Sequence, residues 1–152
     1  MAHIYWHSTR FASAATVWLL AACTASGPDD SSLLSAAERG PAVLAFYGDT
    51  TAVQLAASVR VGEVTTVRFT SFAGGCILQD RTEAVVSGLA AEVRPYRREL
   101  PPNTVCTTEL RFDQNVAELR FAGPGRARVR IVGLARPGDH TFVLERDLLV
   151  MP

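Results

Sequence analysis

Few side chains in this sequence suit chemistry, and most of those are arginines. Arg126, Arg128 and Arg130 alternate with Ala127, Val129 and Ile131. In an extended strand the three guanidiniums therefore share one face, about 6.6 Å apart. Planar forks in a row suit bidentate contact with carboxylate or phosphate groups. Arg120 and Arg111 are expected to continue the row on neighbouring strands. The corresponding partner is an anionic surface: acidic lipid headgroups, polysaccharide or an acidic protein patch. The simpler account pairs these arginines across the sheet with Glu118 and Glu109, which stabilises the sheet slightly and binds nothing. Arg94-Pro95-Tyr96-Arg97-Arg98 forms a second cluster. It reads either as a contact patch or as arginines that keep a strand edge soluble.

Catalytic constellations are poorly supported. Of the three histidines, His3 and His7 fall in the N-terminal segment, leaving His140 beside Asp139 in a Pro-Gly-Asp turn. A zinc site needs three or four ligands, so His140 does not make one, and a surface turn histidine is the expected role. Neither HExxH nor Gly-x-Ser-x-Gly occurs. All 15 basic residues are arginine, which excludes Schiff-base and P-loop lysine chemistry. Two carboxylate pairs stand out, Asp80/Glu83 in an expected polar loop and Glu145/Asp147 on one strand face at a spacing a glycosidase could use, but a small sandwich offers little room for a sugar cleft. No cofactor and no metal are expected.

The N-terminal segment is informative about destination. A weakly basic start precedes a largely apolar run from Phe11 to Ala22. Twelve residues are too few to cross a hydrocarbon core of about 30 Å as a helix, yet they suit a signal-peptide core. The run ends in Leu20-Ala21-Ala22-Cys23, which resembles the lipobox of bacterial lipoprotein precursors. That resemblance covers the signal segment alone. It implies cleavage before Cys23, a diacylglyceryl group on its thiol and, with Thr24 following, the outer membrane of a Gram-negative host. Lipidation would remove one of three cysteines and leave Cys76 and Cys106. Export makes a disulfide between them the expectation, with two separate buried thiols as the alternative.

The elements that must position these side chains are strands. Residues 24–41 read as a small, polar tether with at most one helical turn before Gly40-Pro41. Beyond it the hydrophobic pattern has period two. Strands are expected at 43–46, 53–61, 64–72, 82–96 (bent at Gly88), 105–112, 117–122, 126–133 and 141–150. Leu110 and Phe112 are expected to face inward, with Asp113-Gln114-Asn115 as a hairpin connection. Phe69, Phe121 and Phe142 are expected to join Phe112 in the core. Seven to nine strands without a long helix predict an all-β, single-domain antiparallel sandwich, Ig-like or related, over 42–152.

Composition limits the partners. The 152 residues carry 15 basic and 15 acidic side chains, a formal net charge of zero, so a general nucleic-acid binder is not expected. The expected protein is a lipid-anchored envelope module that binds or supports rather than catalyses, tied to the membrane through its N-terminal lipid. The alternatives are a small exported hydrolase or hydrolase accessory and, without lipidation of Cys23, a soluble inhibitor or ligand carrier.

Overall fold

The structure, a computed structural model, describes residues 37–45, 52–135 and 140–152. Within them eight strands and no helix are found: β1 (Glu38–Pro41), β2 (Ser58–Arg60), β3 (Val64–Ala73), β4 (Ile77–Ser87), β5 (Ala90–Glu99), β6 (Arg111–Arg120), β7 (Gly125–Ala135) and β8 (His140–Met151). They form an all-β sandwich. The larger sheet runs β1-β5-β7-β8-β2 with β4 also paired to β5, and the smaller is the antiparallel pair β3-β6.

Alternation along the strands explains the two layers. Ala127, Val129 and Ile131 of β7 and Leu144, Leu148 and Val150 of β8 are buried. They face Val67 and Phe69 of β3 and Ala117 and Leu119 of β6 in one continuous apolar cluster. Phe121, just past β6, is fully buried in the same cluster. Burying a side chain of that kind contributes roughly 1.5–3 kcal/mol against leaving it wet, which is what selects this strand register over its one-residue slip.

Several expected elements differ. Pairing is antiparallel for four of the six strand pairs, but β5–β7 and β2–β8 are parallel. The last four residues of the expected tether form β1, paired to β5 from Glu38↔Glu99 to Pro41↔Tyr96. Proline is tolerated there because β1 is an edge strand. Beyond it Val43 and Leu44 make only isolated bridges, and the expected 53–61 strand contracts to β2. The expected bend at Gly88 is a full reversal: Ser87 pairs with Ala90, and Gly88 takes φ +59°. Asp113-Gln114-Asn115 is no hairpin but lies inside β6, opposite Phe69-Thr70-Ser71. The chain from Pro101 to Leu110 is irregular, so Leu110 and Phe112 are 63% and 49% exposed instead of buried. Phe142 only packs partly against the core.

Two features shape the larger sheet. On one edge β5 pairs with β4 throughout. Its other edge pairs with β7 at Ala90–Val93 and with β1 at Tyr96–Glu99, so β5 and β7 diverge between them. Residues 42–44 fill the fork: Ala42 N donates to Pro95 O (2.9 Å), and Leu44 N donates to Leu134 O (2.8 Å). Gly133 permits this approach, since a Cβ there would lie 2.7 Å from Leu44 Cγ and 2.9 Å from Ala42 O. The second feature is the Cys76–Cys106 disulfide, which ties the irregular 101–110 segment to the start of β4 with Cα atoms 5.1 Å apart.

Candidate anion-binding face

The outer face of the larger sheet carries the charge. On β7, Arg126, Arg128 and Arg130 do share one face, as the alternation predicts. Their partners are not Glu118 and Glu109 but carboxylates on the adjacent strands. Arg126 meets Asp147 (3.9 Å); Arg128 meets Asp147 (3.5 Å) and Glu145 (4.0 Å); Arg130 meets Glu145 (3.4 Å) and Glu92 (3.4 Å). Registers Arg128↔Asp147, Arg130↔Glu145 and Glu92↔Arg130 make this a ladder in which three carboxylates answer three arginines. Exposed pairs of this kind each contribute about 0–1 kcal/mol. Arg111 and Arg120 do not extend the row, because β6 belongs to the opposite sheet. There Arg111 pairs with Glu109 (3.8 Å) and Asp113 (3.4 Å), and Arg120 donates to Gly62 O.

Positive charge is less balanced at the β4–β5–β1 end, and the cause is a bulge. Gln79 pairs with Arg97 and Thr82 with Pro95, so β4 advances three residues while β5 advances two. Such an insertion re-aims side chains. Gln79 and Thr82 both reach toward β6, where Gln79 Nε2 and Thr82 Oγ1 donate to Asn115 Oδ1, each at 3.1 Å. Asn115 is fully buried, and its Nδ2 donates to Ser71 Oγ (2.9 Å) and Asp113 O (3.3 Å). One satisfied amide on β6 thus pins both ends of the bulge, and the two residues between, Asp80 and Arg81, are left to the outer face.

Asp80 is the hub of that face. Its side chain is only 3% exposed, and Arg98 Nε, Arg81 Nη1 (2.8 Å) and Arg39 Nε (3.6 Å) converge on it. Burial works to raise its pKa, but hydrogen bonds and charge from Arg98, then Arg81 and Arg39, outweigh that and hold it below the usual carboxylate range. Arg81 also binds Glu83 (2.7 Å), whose pKa this hydrogen bond lowers, and lies 4.7 Å over the Tyr96 ring. Arg94 pairs with Glu92 at 2.6 Å. The 94–98 cluster therefore divides: Arg94, Tyr96 and Arg98 point outward along β5, while Arg97 is on the opposite face, where it meets Glu99 (3.7 Å).

Beside Tyr96, on the outer side of the filled β5–β7 fork, lies a cleft of about 390 Å³ lined by Pro41, Arg94, Pro95, Tyr96, Val132, Gly133, Leu134 and Thr141. Its walls are mostly apolar, with arginine at the rim. Sequence reasoning singled out Tyr96 and its arginines but missed Asp80 as their organiser. The only sequence trace is the polar run Gln79-Asp80-Arg81-Thr82-Glu83, where alternation slips.

The remaining candidates are dispersed. His140 is exposed at the start of β8, and Asp139 lies outside the described residues, as does Cys23. Glu145 and Asp147 share the outer face, but both are engaged by ladder arginines. Among the described residues no group of three His, Cys, Asp or Glu side chains could hold a metal ion. Compared with known proteins, the chain matches no family model, no curated protein and no solved structure.

Proposed function

We propose that this protein is an exported module, anchored in the bacterial envelope by a lipid on Cys23, that binds an anionic partner and performs no catalysis. The observation that carries the binding part is Asp80: one sealed carboxylate holding three arginines whose outer atoms face solvent. Such an arrangement fixes guanidinium forks in place before a ligand arrives, which reduces the entropy cost of binding. The anchor rests on Leu20-Ala21-Ala22-Cys23 alone. Several acyl chains, each buried methylene contributing about 0.8 kcal/mol, would hold the module stably where one chain is marginal.

Phase partitioning of the full chain expressed in a bacterial host tests the anchor. Wild type should enter the detergent phase and incorporate labelled fatty acid, and Cys23→Ser should do neither. Equal partitioning of both would sink the anchored reading. Cross-linking of the same tagged chain in cells tests the binding part through the partner recovered with wild type and lost with Arg39→Gln. Equal recovery from both variants would contradict a binding role for these arginines.

A further inference from the structure

Resting on the reading of this protein as a binder of anions, we infer that the fork cleft and the Asp80-held arginines form one binding site for a carboxylate-bearing saccharide chain. Along β5 the outer row is Arg94, Tyr96, Arg98, about 13 Å from first to last at strand rise. An aromatic and apolar middle is therefore flanked by cations at both ends. The middle opens into the fork cleft, whose size suits a ring-sized group, with Pro41 and Leu134 among its walls. A pyranose has apolar C–H faces that pack on such walls, and an acidic polymer carries a carboxylate on successive rings. One ring in the cleft would place charged groups toward both ends of the row.

The two ends differ in what they offer. At the Arg98 end, Arg98 and Arg39 approach Asp80 most closely through Nε and stay 29% and 60% exposed, so their solvent-facing edges can meet a second carboxylate. At the other end Arg94 already holds Glu92. The Arg39/Arg98 end therefore carries most of the charge recognition. On the β7 ladder Arg128 and Arg130 each sit between two carboxylates and take no part in the site. A free phosphate fills the forks but not the cleft, so the saccharide ring distinguishes this site from a bare anion site.

Calorimetric titration of the full chain in detergent micelles tests this, with trigalacturonate, its methyl ester and inorganic phosphate as probes. The acid trimer should bind saturably, and the ester at least about tenfold more weakly, the scale of one charge-assisted contact. Arg39→Gln should weaken the acid about tenfold and leave the ester unchanged. Tyr96→Ala should weaken both, and Arg111→Gln, on the opposite sheet, neither. Equal binding of acid and ester, or phosphate binding as tightly as the trimer, overturns the inference. So does loss through Arg128→Gln instead of Arg39→Gln, which moves the site to the ladder and leaves the anion-binding reading standing. If none of the three probes binds, the saccharide site is refuted, whereas the anion-binding reading is decided separately by whether the partner cross-linked in cells is lost with Arg39→Gln.

Discussion

Replacing Asn115 with leucine tests how the core builds the outer face. The side chains share heavy-atom count and branching, so the change removes the polar contacts while keeping the outline, and the bulkier methyl groups add some overpacking at a fully buried site. Asn115 makes four: from Gln79 and Thr82 to its Oδ1, and from its Nδ2 to Ser71 and Asp113. Gln79 keeps a second acceptor in Gln114 O (3.1 Å), so its loss is small. Ser71 is 2% exposed and loses its partner in a dry site, at roughly 1–3 kcal/mol. Thr82 is half-buried and adds less. The total is about 2–4 kcal/mol, and for a domain of this size about 4 °C per kcal/mol lowers Tm by roughly 8–16 °C. Thermal unfolding followed by circular dichroism, with the disulfide intact, reads this directly. A double-mutant cycle sharpens it. Ser71→Ala should cost about 1 kcal/mol less in the Asn115→Leu background than alone, since its partner is already gone. Additive effects, or a Tm within about 2 °C of wild type, would refute the idea that this amide pins the bulge.

Other perturbations follow from the same geometry. Removing the disulfide as Cys76→Ser with Cys106→Ser opens a closure of 30 residues. The expected loss is about 3.5 kcal/mol by chain entropy, measured by denaturant unfolding. Gly133→Ala should cost about 1–3 kcal/mol, because its Cβ meets Leu44 and the Ala42 carbonyl, whereas Gly123→Ala, in open space, should be near neutral; paired melting curves decide it. Asp80 has a folded pKa below its unfolded one, so its contribution is present above the ordinary aspartate range near pH 4 and is lost as pH falls through the lower folded value. Stability of wild type minus Asp80→Asn, followed from pH 6 to pH 2, should shrink toward zero; a constant difference would contradict the assignment. Arg128→Gln should change stability by less than about 1 kcal/mol, since its side chain is 61% exposed, a change that chemical denaturation resolves.

How far the sequence could be read depended on what each signal encodes. Alternation over 126–131 and 117–121 placed the inward residues correctly, because one face of those strands is dry and the other wet. Pairing partners were not legible. Nothing local to Arg130 announces that it will lie between Glu92 and Glu145, since partner choice is made by topology, including a parallel β5–β7 contact. Asp113-Gln114-Asn115 looked like a turn because polar residues usually sit in turns. Asn115 is instead a buried polar group, tolerated because all its hydrogen-bonding capacity is met. Asp80 was noticed only as half of a carboxylate pair, and its role as organiser of the arginines was missed for a related reason. Its importance comes from a bulge that only a three-dimensional register reveals. Phe112 misled by type, since aromatic residues on strands usually face inward; here its ring lies 5.2 Å from that of Phe72 on the outer side of the small sheet.

The most direct measurement is the intact mass of the mature protein recovered from membranes of a bacterial host, before and after reduction. The account predicts a chain beginning at an acylated Cys23 that gains two hydrogens on reduction, from the single Cys76–Cys106 bridge. A chain that begins elsewhere, or one with an unmodified thiol at Cys23, would contradict the lipid-anchored module at its root.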